Sequence, residues 1–136
     1  MTLRAESTLL PIASNDDVVR ARQFVRTLAQ ECGLSLVEQT KLVTATSELA
    51  RNTLTYGGGG TIRVSLVQDG TRRGVQAIFE DSGPGIADLD QALTDGWSSG
   101  TGLGLGLSGS RRLVDEFDID SAPDRGTTVT VTKWGR

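Results

Sequence analysis

The chain has 136 residues and no histidine. That absence excludes His–Asp and His–Cys catalytic pairs, zinc sites of the usual Cys/His kind, and a phosphohistidine formed within the chain. A general base must then be Asp, Glu, Lys or Tyr. Cys32 is the single cysteine, so no internal disulfide can form. Its place at a helix end in apolar company makes it inert filler. No apolar run reaches the roughly 18 residues of a membrane-spanning helix, and no charged-then-apolar leader is present. The expected compartment is the cytoplasm, with no membrane partner. Fourteen basic and seventeen acidic residues are well mixed and leave a net charge of −3. Nothing forms a basic stripe, so nucleic acid is not an expected partner. The length suits one domain, residues 1–136, with a core large enough to need no disulfide.

What the chain has instead is glycine, concentrated in two places. Asp81-Ser82-Gly83-Pro84-Gly85 comes first, and Gly100-Thr101-Gly102-Leu103-Gly104-Leu105-Gly106 follows. Each glycine gives up more backbone entropy on folding than another residue would. Such a cost fits a backbone that approaches a ligand closely or takes positive φ. The second cluster runs into a helical pattern, and a glycine loop feeding a helix N-terminus offers free N–H groups to phosphate. Gly104-Leu105-Gly106-Leu107-Ser108-Gly109 contains a dinucleotide-type spacing, but that motif needs a strand directly before it. Trp97 to Thr101 is not strand-like, and there is no G-x-x-x-x-G-K-[ST] loop.

Hydrophobic periodicity places these motifs. Residues 6–12 read as a first strand. Ser14-Asn15-Asp16-Asp17 reads as a helix start, and Val18 to Cys32 keep helical spacing until Gly33. Ser35 and Glu38 form a capping box that opens a helix from about Leu36 to Tyr56, ended by Gly57 to Gly60. Thr61–Val67 and Val75–Asp81 read as a hairpin around Asp69 to Gly74. Residues 86–103 hold few apolar anchors and read as a short helical piece and a loop. A helix from about Leu105 to Glu116, a strand Phe117–Ser121, a turn at Pro123 to Gly126 and a strand Thr127–Trp134 complete the chain. The expected fold is an α/β (α+β) two-layer sandwich, a mixed sheet with helices on one face.

On the long helix Glu48 and Asn52 are four residues apart and stack on one face, at the edge of the stripe Leu42, Ala45, Leu49. A carboxylate there is costly unless paired. Magnesium with a water would pair it: magnesium takes oxygen ligands and bridges phosphates. Asn52 offers a carbonyl oxygen, and Glu48 can hold a water or accept a proton from an attacking hydroxyl.

Glu48-Leu49-Ala50-Arg51-Asn52, Asp81-Ser82-Gly83-Pro84-Gly85, Gly102-Leu103-Gly104-Leu105-Gly106 and Gly126-Thr127-Thr128 resemble, in that order, the motifs of the GHKL (Bergerat-type) ATP-binding superfamily. The resemblance covers residues from about 35 to 134. It implies ATP and Mg²⁺ as cofactors, Glu48 as general base and Asn52 as magnesium ligand. It implies Asp81 as acceptor for the adenine amino group, with Gly83 and Gly85 letting the backbone pass the base. Gly100, Gly102, Leu103, Gly104, Leu105 and Gly106 would close over the phosphates, and Thr127 would complete the adenine pocket.

Within the superfamily the chain is similar to the small serine kinases of bacterial partner-switching systems. Asp95 to Gly100, Arg111 to Phe117 and Lys133-Trp134 carry that narrower likeness. It implies phosphorylation of Ser or Thr on STAS-domain proteins (RsbS/RsbR-like), then binding and activation of a metal-dependent phosphatase (RsbU-like). The alternative is an anti-sigma factor of the RsbW type, which sequesters a sigma subunit and phosphorylates its STAS anti-anti-sigma antagonist. Many of those carry a basic residue just before the lid glycines, where this chain has Ser98 and Ser99. Whether an arginine meets the γ-phosphate stays open at this level.

Overall fold

Thr2–Ile12 (β1) opens the fold and pairs antiparallel with Gly60–Asp69 (β2), with an irregularity in register between Arg4 and Ser7. The computed structural model describes residues 2–88, 93 and 103–135, with side chains from residue 7 and again from residue 107. Between these strands lie Asn15–Glu31 (α1) and Leu36–Thr55 (α2). Arg72–Asp81 (β3) returns along β2. Leu103–Leu113 (α3), Glu116–Ser121 (β4) and Thr127–Trp134 (β5) follow. The segment read as a short helix and loop falls largely outside the described residues, as do Gly100 and Gly102.

The helix boundaries have local causes. The Ser14 hydroxyl accepts from Asp17 N–H and caps α1. Gly33 takes φ +84° just past the end of α1. Ser35 and Glu38 make both halves of the expected capping box, at 3.2 Å each. Such a cap is worth about 1 kcal/mol. Tyr56 is the C-cap of α2 rather than its last turn. The helix α3 begins at Leu103, two residues before the expected start, and ends at Leu113, so Glu116 opens β4 instead of closing the helix.

The strand order is β1-β2-β3-β5-β4, and every pairing is antiparallel. This corrects the expected mixed sheet. The crossover through α3 does make β4 run parallel to β3. The β4–β5 hairpin then folds β5 back between them, so no two neighbours are parallel.

One face of the sheet is apolar and covered by helices. Leu10, Ile62, Phe79, Val129 and Ile119 stand opposite one another across all five strands and belong to the core. Val18, Ala21, Val25 and Ala29 of α1, with Leu42, Ala45 and Leu49 of α2, are buried on that layer. The helix α3 packs beside α2 and contributes Leu107. The two-layer sandwich expected from the sequence is therefore the observed one. Trp134 is buried, with its Nε1–H on Glu116, its backbone N–H on Asp115 and Arg72 stacked 4.1 Å from its ring centre. Cys32 is buried, and burial pushes its thiol pKa up, which suits an inert role.

Candidate functional site

Two residues along each strand from the core row lies a different row. Ile12, Gly60, Asp81, Thr127 and Ser121 stand opposite one another on β1, β2, β3, β5 and β4. Side chains two residues apart share a face, so Asp81, Thr127 and Ser121 point to the helix-covered side. The apolar layer thus ends in three adjacent polar groups. Beside them is a cavity of about 180 Å³. Leu49, Asn52 and Thr53 of α2 form one wall, and Leu107 of α3 adds to the apolar lining. Phe79, Asp81, Thr127 and Val129 come from the sheet, and Pro84, Gly85 and Ile86 from the loop after β3. An apolar cavity with a few convergent polar groups suits a planar heterocycle that must be oriented as well as buried.

Asp81 is half-buried, and burial raises its carboxyl pKa. Backbone N–H groups of Gly83 and Thr127 pull in the opposite direction, and the charge of Glu80 adds to the rise. The Gly83 N–H reaches Oδ1 at 2.9 Å. The loop is clasped onto the β4–β5 hairpin by Asp124 N–H on the Pro84 carbonyl at 2.7 Å and Ile86 N–H on Ser121 Oγ at 2.8 Å. Gly85 sits at φ +77°, where a Cβ would run into the Ala122 carbonyl, so both the conformation and the contact require glycine.

Asn52 faces the same cavity. Its Nδ2 is buried without a hydrogen-bond partner. Which amide atom is nitrogen is a matter of assignment, and a flip would present the oxygen instead. A buried amide left unpaired by the protein is what a ligand or hydrated cation would satisfy. Among the described residues no cluster of three or more His, Cys, Asp or Glu could hold a metal. Magnesium here would rest on a single protein oxygen and on phosphate oxygens, a donor set normal for that ion. Asn52 fits it.

Glu48 is placed differently. It lies outside this cavity, 44% exposed at the side chain, and its Oε1 accepts from Arg51 at 2.9 Å. It lines a separate depression of about 350 Å³ between α1 and α2, with Arg22, Arg26 and Ser47. The structure therefore gathers Asn52, Asp81, Gly85 and Thr127 into one cavity, keeps Gly83 as a donor to Asp81, and sets Glu48 on the neighbouring surface. Leu103, Gly104, Leu105 and Gly106 form the first turn of α3. A first turn leaves backbone N–H groups without intrahelical partners, available to an anion.

Two site residues escaped the sequence reading. Ser121 had no motif around it. Gly57 stood in a glycine run read as a helix stop, yet it also lines the cavity. A Cβ at Gly57 would lie 2.5 Å from Asp81 Cβ and 2.6 Å from Oδ2. Gly57→Ala is therefore expected to displace the Asp81 carboxylate and weaken ligand binding in this cavity by about tenfold or more, the scale of an overpacked site. Titration calorimetry checks this, and unchanged affinity would show that the carboxylate does not depend on the missing side chain.

The model for histidine kinase-, DNA gyrase B-, and HSP90-like ATPases (HATPase_c) matches residues 37–134. The chain belongs to this family. Asn52, Asp81, Gly85 and Thr127 all lie inside the matched segment. The serine/threonine-protein kinase RsbT of Bacillus subtilis is 42% identical, over 96% of this chain and 98% of that one. The anti-sigma F factor of Bacillus licheniformis is 28% identical, over 83% and 81%. Among solved structures, the RsbU and RsbW domains of Rv1364c from Mycobacterium tuberculosis match with a TM-score of 0.62 at 21% identity, covering 97% of this chain and 33% of that one. The mycobacterial sensor histidine kinase MprB matches with a TM-score of 0.58 at 18% identity, over 96% and 99%. These two likenesses concern the fold, a five-stranded sheet with its helices.

Proposed function

We propose that this chain is an ATP- and Mg²⁺-dependent protein serine/threonine kinase of a bacterial partner-switching system. The carrying observation is the convergence of Asn52, Asp81 and Thr127 on one largely apolar cavity at the end of the sheet. The choice of a kinase within the family is supported by the near full-length likeness to RsbT. Its substrates would be STAS-domain proteins of the RsbS and RsbR kind. Once released from them, it would bind and activate an RsbU-like metal-dependent phosphatase. No helix among the described residues is long and apolar enough to cross a membrane, which accords with work in the cytoplasm.

In this mechanism the protein mainly positions groups and offsets charge. Asp81 accepts a hydrogen bond from the base, and the apolar walls around Phe79 and Leu107 exclude water from its faces. Asn52 would hold Mg²⁺, which when bound neutralises phosphate charge. Arg51 fixes Oε1 of Glu48, leaving Oε2 without a protein partner among the described residues. As the substrate oxygen bonds to the γ-phosphorus and the bond to the ADP oxygen breaks, that carboxylate takes the hydroxyl proton. The depression around Glu48, flanked by Arg22 and Arg26, gives the acceptor segment room to approach from the α1 side.

The test is transfer of the γ-phosphoryl group from labelled ATP to a STAS-domain protein of the same host. Label on a Ser or Thr of that protein supports the reading, and ATP binding without any such transfer overturns it. The second reading, an anti-sigma factor, is favoured by the likeness to anti-sigma F factors. Capture of a sigma subunit by the purified chain, with no STAS protein bound, would establish it.

A further inference from the structure

Three groups of the site meet at one hydroxyl. Ser121 Oγ accepts from the Ile86 N–H at 2.8 Å, lies 3.0 Å from the Gly126 carbonyl oxygen and 2.8 Å from Thr127 Oγ1. Ser121 has one proton to give. The Gly126 carbonyl can only accept. The arrangement that satisfies every contact has Ser121 donating to Gly126 and Thr127 donating to Ser121. The Thr127 hydroxyl proton is then committed away from the cavity that Thr127 lines. A hydroxyl so committed can only accept from a group bound in that cavity.

We propose that Ser121 is a positioning residue that fixes the proton of Thr127 and so makes the base pocket selective for a 6-amino purine over a 6-oxo purine. The proposal rests on the nucleotide reading of the cavity and adds to it the source of base discrimination. Asp81 and Thr127 are directly opposite on β3 and β5, and Thr127 and Ser121 directly opposite on β5 and β4. The pocket thus presents two adjacent acceptors. An amino group donates to them. An oxo group at the same ring position faces them with lone pairs, and the single ring N–H beside it can reach one acceptor at most, so a buried acceptor is left unpaired. Without Ser121 the Thr127 hydroxyl is free to turn and donate to an oxo oxygen.

The experiment compares the affinities of ATP and inosine triphosphate, with Mg²⁺, for wild type, Ser121→Ala and Ser121→Thr, by calorimetry on folded protein. Ser121→Ala is expected to lower the ATP-to-ITP affinity ratio by about tenfold, the scale of one misplaced hydrogen bond. Ser121→Thr keeps a hydroxyl on a strand that tolerates β-branching and is expected to restore the ratio. A parallel loss for both nucleotides in Ser121→Ala, with the ratio unchanged, would reduce Ser121 to a clasp for Ile86 and overturn the proposal. Should Ser121→Ala fail to fold, Ser121→Cys carries the same comparison, since a thiol is a weak hydrogen-bonding group. Failure of wild type to bind ATP would overturn the nucleotide reading itself. Selective wild-type binding with an unaltered ratio in the variants would remove only the role of Ser121.

Discussion

Glu48→Gln is expected to lower phosphate transfer by about 10²-fold or more, the usual scale for a lost general base, with ATP affinity held within about twofold. The separation follows from where Glu48 lies. It is outside the cavity that holds Asn52, Asp81 and Thr127, on the depression shared with α1. Glutamine keeps the size and can still accept from Arg51, so the surface geometry survives and only the proton acceptor is lost. Asn52→Ala should do the reverse, weakening Mg²⁺-dependent ATP binding because the amide on the cavity wall disappears. Single-turnover transfer and calorimetry on the two variants distinguish the roles. Normal transfer by Glu48→Gln would mean that another carboxylate, or none, takes the proton.

Asp81→Asn is expected to weaken ATP binding by about 1.5–3 kcal/mol, the range for a hydrogen bond to a charged group, which is about 10- to 150-fold in affinity. The amide can present an NH₂ where an acceptor is needed. The same substitution also removes a pH dependence of the fold's stability. Burial raises the Asp81 pKa in the folded protein, so the folded state holds the proton more tightly than the unfolded one. Its contribution to stability is fully present below the unfolded value of about 3.9 and is lost as pH rises through the raised native value. Wild type should therefore lose stability relative to Asp81→Asn as pH rises across that window, read as a widening difference in Tm in favour of the variant. A functional group that weakens the fold is the usual compromise of a binding site. A constant Tm difference across that window would show that Asp81 is not ionised at a cost to folding.

Much of this was legible locally. The Ser14 cap, the Ser35–Glu38 box and the stop at Gly33 depend on neighbours within a few residues, and each stands where the pattern places it. The last strand, Thr127–Trp134, matches the reading residue for residue. The helix α3 starts earlier than expected because tertiary packing beside α2, through Leu107, outweighs the poor helix propensity of glycine. The order of four glycine and acid motifs pointed to the family before any contact was visible.

By itself, then, the sequence determined the two long helices with their N-terminal caps, the period-two strands and the kinds of side chain available for chemistry, since these arise from interactions a few residues long. Three things were left to the tertiary structure. The β4–β5 hairpin inserts β5 beside β3, which makes the sheet antiparallel and aligns Asp81, Thr127 and Ser121 in one row. Gly57 meets Asp81 across a gap of 24 positions in the chain, which no local pattern announces. Glu48 and Asn52, one helical turn apart, open onto different hollows because α1 borders one and the sheet borders the other. The physical reason is common to all three. Strand alternation and helix periodicity say which face a residue takes, but which element covers that face is settled by long-range packing of the whole apolar layer.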